Sequence, residues 1–237
     1  FNDVINKTIF AVSKDELKPA LSGVLFQIKN NSILSVSTDG HRLVKYTRHG
    51  LNINIDRDVI IPKKFLSLIS SNISQAENVN LYINENQVTV EVGNDVFYSR
   101  VIDERFPDFE SVIPKDNNKE LTVNRLDLLS TVKRVSVLSN KTTKQIALNL
   151  TKDNIKITTE DNEKSSKGFE NISGSFTGED LIIGYNAAYL KDILSHLTTD
   201  EVMIKLNSPI SAGLFFPKEQ LKDSDLTMLL MPIRLNN

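Results

Sequence analysis

Val24-Leu25-Phe26-Gln27-Ile28-Lys29, a polar turn at Asn30-Asn31, and then Ile33-Leu34-Ser35-Val36 read as two alternating strands joined by a hairpin. The same pattern returns 122 residues later, as Ile146, Leu148 and Leu150, a turn at Asp153-Asn154, and Ile155, Ile157 and Thr158. Moving outward, Asp58-Val59-Ile60-Ile61 precedes a helical stretch with Phe65, Leu66 and Ile69. Its counterpart Asp180-Leu181-Ile182-Ile183 precedes one with Tyr189, Leu190 and Ile193. Val79, Leu81 and Ile83 match Val202, Ile204 and Leu206, shifted by one residue more. Three matches in one order predict a duplication. The expected fold is α+β: two tandem copies of one domain, each with two helices packed on antiparallel sheets. The copies are expected over residues 1–117, including a linker rich in charge and proline, and 118–237.

At 237 residues the chain suffices for two domains that each bury a core, and 40% hydrophobic with 24% charged residues is ordinary for a globular protein. There is no cysteine, which excludes disulfides and thiolate chemistry and fits a reducing cytoplasm. Phe1, Val4, Ile5, Ile9 and Val12 share one helical face, interrupted by Asn2, Asp3, Asn6 and Lys7, so the opening reads as an amphipathic helix and not as a signal or membrane span. The second copy has a strand-like Glu120-Leu121-Thr122-Val123 before its first helix, and the first copy has no room for its equivalent before Phe1. With no initiator Met, a truncated first copy is expected.

Catalytic and cofactor signatures are missing. His41, His49 and His196 lack the spacing of a helical zinc site, and there is no phosphate-binding glycine loop or nucleophile elbow. The adjacent carboxylates Asp103-Glu104 and Glu160-Asp161 would point to opposite faces of a strand. The expectation is a non-enzymatic binding protein without metal or cofactor. A hydrolase with a dispersed site is a separate reading, to be tested by turnover.

Net charge is only −2, but its distribution is uneven. The helical stretches and their flanks carry Lys7, Lys63, Lys64, Arg125, Lys133, Arg134, Lys141, Lys144 and Lys191 against Asp3, Asp127 and Asp192. If those helices share a side, they form a cationic track that attracts phosphates without reading sequence. Lys and Arg on exposed helix faces are also commonly just solvated.

Two segments stand out. Thr38-Asp39-Gly40-His41-Arg42-Leu43 follows the second strand of the first copy, and the matching place in the second copy, Glu160-Asp161-Asn162, has no Gly-His-Arg. Leu229-Leu230-Met231-Pro232-Ile233-Arg234-Leu235 is apolar and contains a proline. It reads either as an edge strand or as an adaptable peptide-binding surface. Together with Arg105-Phe106-Pro107-Asp108-Phe109, Val112-Ile113-Pro114 and Gly184-Tyr185-Asn186-Ala187-Ala188-Tyr189, these segments resemble the bacterial replication sliding clamp, the beta subunit of DNA polymerase III. The resemblance covers the second and third of that family's three domains.

What the resemblance implies is a homodimeric ring that encircles duplex DNA, with helices lining the hole. Short linear motifs of the polymerase III catalytic subunit, the clamp loader, other polymerases and mismatch-repair proteins would dock in a pocket between those two domains. Carried over, that pocket uses Leu21, Thr38, Gly40, His41, Arg42, Leu43, Pro107, Val112, Asn186, Tyr189, Ile210, Leu229, Leu230, Met231, Pro232, Ile233 and Arg234. His41, Arg42 and Arg234 are expected to meet peptide carbonyls or a carboxylate. The DNA-facing set is Lys7, Lys63, Lys64, Arg125, Lys133, Arg134 and Lys191. Glu110 and Ser111 stand where relatives often carry basic residues, and Lys218 to Asp225 lengthens the last hairpin. The chain by itself is expected to be a monomer. The rival reading is a two-domain adaptor that binds proteins only, with incidental helix cations.

Overall fold

The computed structural model describes all residues except 30, 52, 54, 75, 77, 236 and 237. The Asn30 half of the predicted turn and the terminal Asn236-Asn237 therefore lie outside the described residues; Asn31 adopts φ 62°, a left-handed turn conformation that asparagine tolerates. The chain divides into two compact units, residues 1–110 with 221–226, and 111–220 with 227–237. No helix among the described residues is long and apolar enough to cross a membrane.

In the first unit, α1 (Asn2–Thr8) runs into a 3-10 turn (Ile9–Ala11) and buries Val4, Ile5, Thr8 and Ala11. The helical pattern predicted through Val12 stops earlier: the Thr8 hydroxyl donates to the Val4 carbonyl at 2.8 Å, and Val12 is already extended. Such back-bonding by a β-branched residue competes with helix continuation. Strands β1 (Gly23–Lys29), β2 (Ser32–Thr38), β3 (Arg42–Arg48) and β4 (Arg57–Pro62) form an antiparallel sheet in the order β4-β1-β2-β3. The β1–β2 hairpin pairs Ile28 with Ile33. α2 (Lys63–Ile73) buries Phe65, Leu66, Ile69 and Ile73, a spacing of three or four that lines one helix face. A second sheet holds β5 (Asn80–Ile83), β6 (Gln87–Val92) and β7 (Asp95–Arg100). Fully burying a side chain such as Leu66 or Phe26 contributes about 1.5–3 kcal/mol, and these faces make the core.

The second unit repeats this plan. After β8 (Lys119–Asn124) and α3 (Arg125–Val135), the strands β9 (Gln145–Thr151), β10 (Asn154–Asp161), β11 (Ser166–Ser173), the short β12 (Ser175–Thr177) and β13 (Leu181–Asn186) lead to α4 (Ala187–His196). Then come β14 (Glu201–Leu206), β15 (Gly213–Pro217) and β16 (Ser224–Leu230). The order β13-β9-β10-β11 reproduces β4-β1-β2-β3, and β8-β14-β15-β16 extends the pattern of β5-β6-β7 by one strand. β1 and β9 begin 122 residues apart, as do β2 and β10, so the repeat expected from the alternation is the repeat of the fold.

Asp161 ends β10 fully buried while Glu160 beside it is exposed, as strand alternation requires; the two carboxyls do not converge.

Candidate functional site

On the first unit, the turn after β2 is built around one carboxylate. Asp39 Oδ1 accepts from the backbone N–H groups of His41 at 2.9 Å and Arg42 at 3.0 Å, and Oδ2 accepts from Arg42 Nε at 3.1 Å. Thr38 Oγ1 accepts from the Gly40 N–H at 3.1 Å and donates to the Arg42 carbonyl at 2.7 Å. Gly40 takes φ +89° in open space, so the backbone angle, not crowding, calls for glycine.

Arg42 is only 8% exposed; its Nη2 donates to the Phe10 carbonyl at 3.0 Å and its guanidinium lies over the Phe10 ring, 5.2 Å from the centroid. Its planar fork ties the turn to the segment after α1. His41 and Pro107 are exposed, while Leu21 and Leu43 are buried beneath. Glu110 ion-pairs with Lys45, so the acidic residue at the end of the linker is locally neutralised.

On the second unit, the segment after β16 is strapped to β13. The Ile233 N–H donates to the Gly184 carbonyl at 2.8 Å, and a Cβ on Gly184 would stand 2.6 Å from the Ile233 carbonyl oxygen. Asn186 accepts from the Ala188 and Tyr189 N–H groups at 2.9 and 3.4 Å, capping α4 and fixing its first turn, on which half-buried Tyr189 sits. Leu229 and Leu230 belong to the core, whereas Met231 is 42%, Val112 54% and Ile210 65% exposed. Pro232 and Ile233 are half-buried and Arg234 exposed. The second unit thus offers solvent-facing apolar side chains on a hydrogen-bonded backbone.

The predicted cationic set separates by partner. Lys64 and Lys133 are exposed. Lys63 is half-buried, and burial, reinforced by Lys14 and Arg42, lowers its ammonium below the ordinary lysine range. Three others are engaged within the fold or covered by it. Lys7 is only 7% exposed on α1. Arg125 donates to the Thr199 carbonyl at 2.8 Å and the Leu194 carbonyl at 3.2 Å, tying the end of α4 to the start of α3. Arg134 makes a forked pair with Glu170, Nη2 to Oε2 at 2.7 Å, which holds Glu170 below the usual carboxylate range. Lys191 instead lines a hollow with Lys141 and Lys144, which belong to the predicted cationic track but not to the narrower DNA-facing set.

Residues 1–108 match the family model described as DNA polymerase III beta subunit, central domain, and residues 110–234 match its C-terminal domain. The beta sliding clamps of Vibrio cholerae and Pseudomonas putida are 31% and 30% identical over 98% of this chain. The chain spans 63% of the length of each of these curated relatives. Among solved structures, the sliding clamp of Bacillus subtilis superposes with a TM-score of 0.93 at 28% identity, covering 99% of this chain and 62% of that one. The clamp of Pseudomonas aeruginosa bound to griselimycin gives 0.92 at 27%, covering 99% and 63%. This chain belongs to the DNA polymerase III beta subunit family, and it carries the family's central and C-terminal domains.

Proposed function

We propose that this chain works as two of the three domains of a replication sliding clamp: a cytoplasmic, non-enzymatic ring of two subunits that encircles duplex DNA and tethers proteins to it. Polymerase subunits, the clamp loader and repair proteins are held by short linear motifs. The observation that carries the reading is the strap of Ile233 on Gly184, which holds the tail backbone while Met231 stays open to solvent. The Asp39-organised turn of the first unit and the Met231 segment of the second both contribute to motif capture, with Val112, Tyr189 and Ile210 as apolar contacts. In this role Arg42 and Asn186 are positioning residues, because their polar atoms are engaged within the fold.

Ring assembly draws on the free edge of β11, which pairs only with β10 among the described strands. Phe169 on that strand and Val137 and Leu138 beside it are exposed, and the tip of Leu138 packs on Gly168, where an added Cβ would make it shift. An unpaired strand with apolar neighbours is a template for another chain. Lys64, Lys133 and the lysines beside α4 supply a diffuse positive field for DNA, suited to sliding because no contact is strong.

The test is a fluorescence-polarisation titration with a peptide of the Gln-Leu-x-Leu-Phe type, using the chain and a variant lacking residues 231–237. Micromolar binding, about −8 kcal/mol, that disappears in the deletion is expected. A folded chain that does not bind the peptide overturns the docking assignment. The protein-only adaptor is separated by Lys63→Gln, Lys64→Gln and Lys133→Gln in a ring-forming full-length protein: unchanged retention on DNA would favour the adaptor.

A further inference from the structure

β14 and β15 separate after the Lys205–Leu214 pair, and residues 207–212 connect them. On its other side β14 stays paired with β8 as far as Leu206, opposite Lys119. Asn117, just ahead of β8, closes the opening between the two strands. Its Nδ2 donates to the Lys205 carbonyl at 2.9 Å and to the Ala212 carbonyl at 3.0 Å, so one amide nitrogen joins the two ends of the connection.

The rest of the connection is tied as closely. Asn207 Nδ2 donates to Asp116 Oδ2 at 2.9 Å, and Lys119 Nζ donates to the Asn207 carbonyl at 3.0 Å. Ser211 Oγ accepts from the Ser208 N–H at 2.9 Å and from the Ser208 hydroxyl at 3.0 Å, and it donates to the Ser208 carbonyl at 3.2 Å. Behind the turn, a Cβ on Gly213 would stand 2.3 Å from Tyr185 Oη, the end of a fully buried ring. On this braced turn Ile210 is 65% exposed, while Leu206 and Ala212 to either side are buried.

Stability gains little from the Asn117 amide by itself. Its Oδ1 is buried with no partner among the described residues, a desolvation cost that offsets much of what the two donated bonds return. What the side chain fixes is geometry. An amide nitrogen can give a hydrogen to each of two carbonyls, whereas an ionised carboxylate of the same shape can only accept and would repel both. An apolar side chain held in place before binding also gives more affinity than one ordered on binding, because the ordering entropy is not lost at that step.

We propose that Asn117 is a positioning residue for motif capture and acts through Ile210: by holding the Lys205 and Ala212 carbonyls to one nitrogen, it fixes the turn on which Ile210 meets an apolar anchor of a docked peptide. This rests on the reading above that Ile210 contacts the motif.

The test is a double-mutant cycle, read by fluorescence polarisation with the Gln-Leu-x-Leu-Phe peptide on the chain, on Asn117→Asp, on Ile210→Ala and on the two combined, each checked for folding by circular dichroism. Asn117→Asp is expected to weaken binding about tenfold, Ile210→Ala by about as much, and the combination no further than Ile210→Ala alone, since a residue that acts through another has no effect once the other is gone. Amide hydrogen exchange over residues 207–213 is expected to quicken in Asn117→Asp and to stay as it is in Ile210→Ala. Asn117→Ala removes the donors and the orphan acceptor together without adding charge; it is the milder variant, and the same pattern is expected of it. Faster exchange with full peptide affinity overturns the positioning role while motif docking stands. An equal loss with and without Ile210 overturns it too, because Asn117 would then act on the fold at large. If the folded chain binds the peptide and Ile210→Ala leaves the affinity unchanged, Ile210 is not a contact and the positioning role falls with it. A folded wild-type chain that does not bind at all removes the docking reading itself, and this role with it.

Discussion

The backbone N–H of Ile233 donates to the carbonyl of Gly184 at 2.8 Å, and there is no room for a side chain between the two segments. A single glycine on β13 therefore decides whether the terminal segment can lie down, and with it where Met231 and Arg234 stand.

Gly184→Ala is expected to weaken binding of the Gln-Leu-x-Leu-Phe peptide by about tenfold or more, at an overpacking cost to the fold of about 1–3 kcal/mol. Polarisation titration and urea denaturation on the same sample separate the two effects. Peptide affinity that survives the substitution would detach motif capture from the strap.

Asp39 is the hub of the Gly-His-Arg turn, and its removal leaves the nearly buried Arg42 guanidinium short of its counter-charge. Asp39→Ala is expected to cost about 2–4 kcal/mol in urea unfolding. A loss under about 0.5 kcal/mol would mean that the Phe10 carbonyl and ring suffice to hold Arg42.

Asn186→Ala removes the cap of α4 and is expected to cost about 1 kcal/mol, a fall in Tm of about 2–4 °C for a chain of this size. Asn186→Asp or Asn186→Ser restores most of it, since either side chain can accept from the same N–H groups. If Asn186 instead touches the bound peptide, calorimetry will show affinity lost in Asn186→Asp although stability is recovered.

Arg125→Met is expected to lower stability by about 1–3 kcal/mol, by orphaning the Thr199 and Leu194 carbonyls, while leaving the salt dependence of DNA binding unchanged. Lys133→Gln should do the reverse, reducing that slope by about one with no change in Tm. Equal salt effects from the two would return Arg125 to the DNA-facing set.

The duplication was legible because alternation with period two, broken by Asn and Asp turns, is a local property: β1 and β9, and β2 and β10, begin at the spacing the pattern predicts. The helices were legible from the burial stripe of Phe65, Leu66 and Ile69 and its counterpart in α4. Gly40 was legible as a turn residue, and its positive φ is the reason.

Charge was another matter, because a basic residue in a sequence carries no record of its partner. Lys7, Arg125 and Arg134 look like Lys64 and Lys133 on paper. Only the packing of α1, the carbonyls at the end of α4 and the position of Glu170 across on β11 distinguish them. Lys141 and Lys144 were countable from the start, but their meeting with Lys191 depends on a loop closed by Asn140 and fastened to Asn186, forty-odd residues away in the chain.

By itself, then, the amino-acid order determined the elements, their repetition and the apolar faces that drive them together, since each follows from short-range stereochemistry and periodicity. Tertiary structure alone decided which cations remain open, which polar side chains are consumed in holding turns and caps, and that Gly184 must lack a Cβ. Those outcomes depend on distances between residues far apart in sequence, where desolvation and hydrogen-bond geometry, not propensity, set the energy.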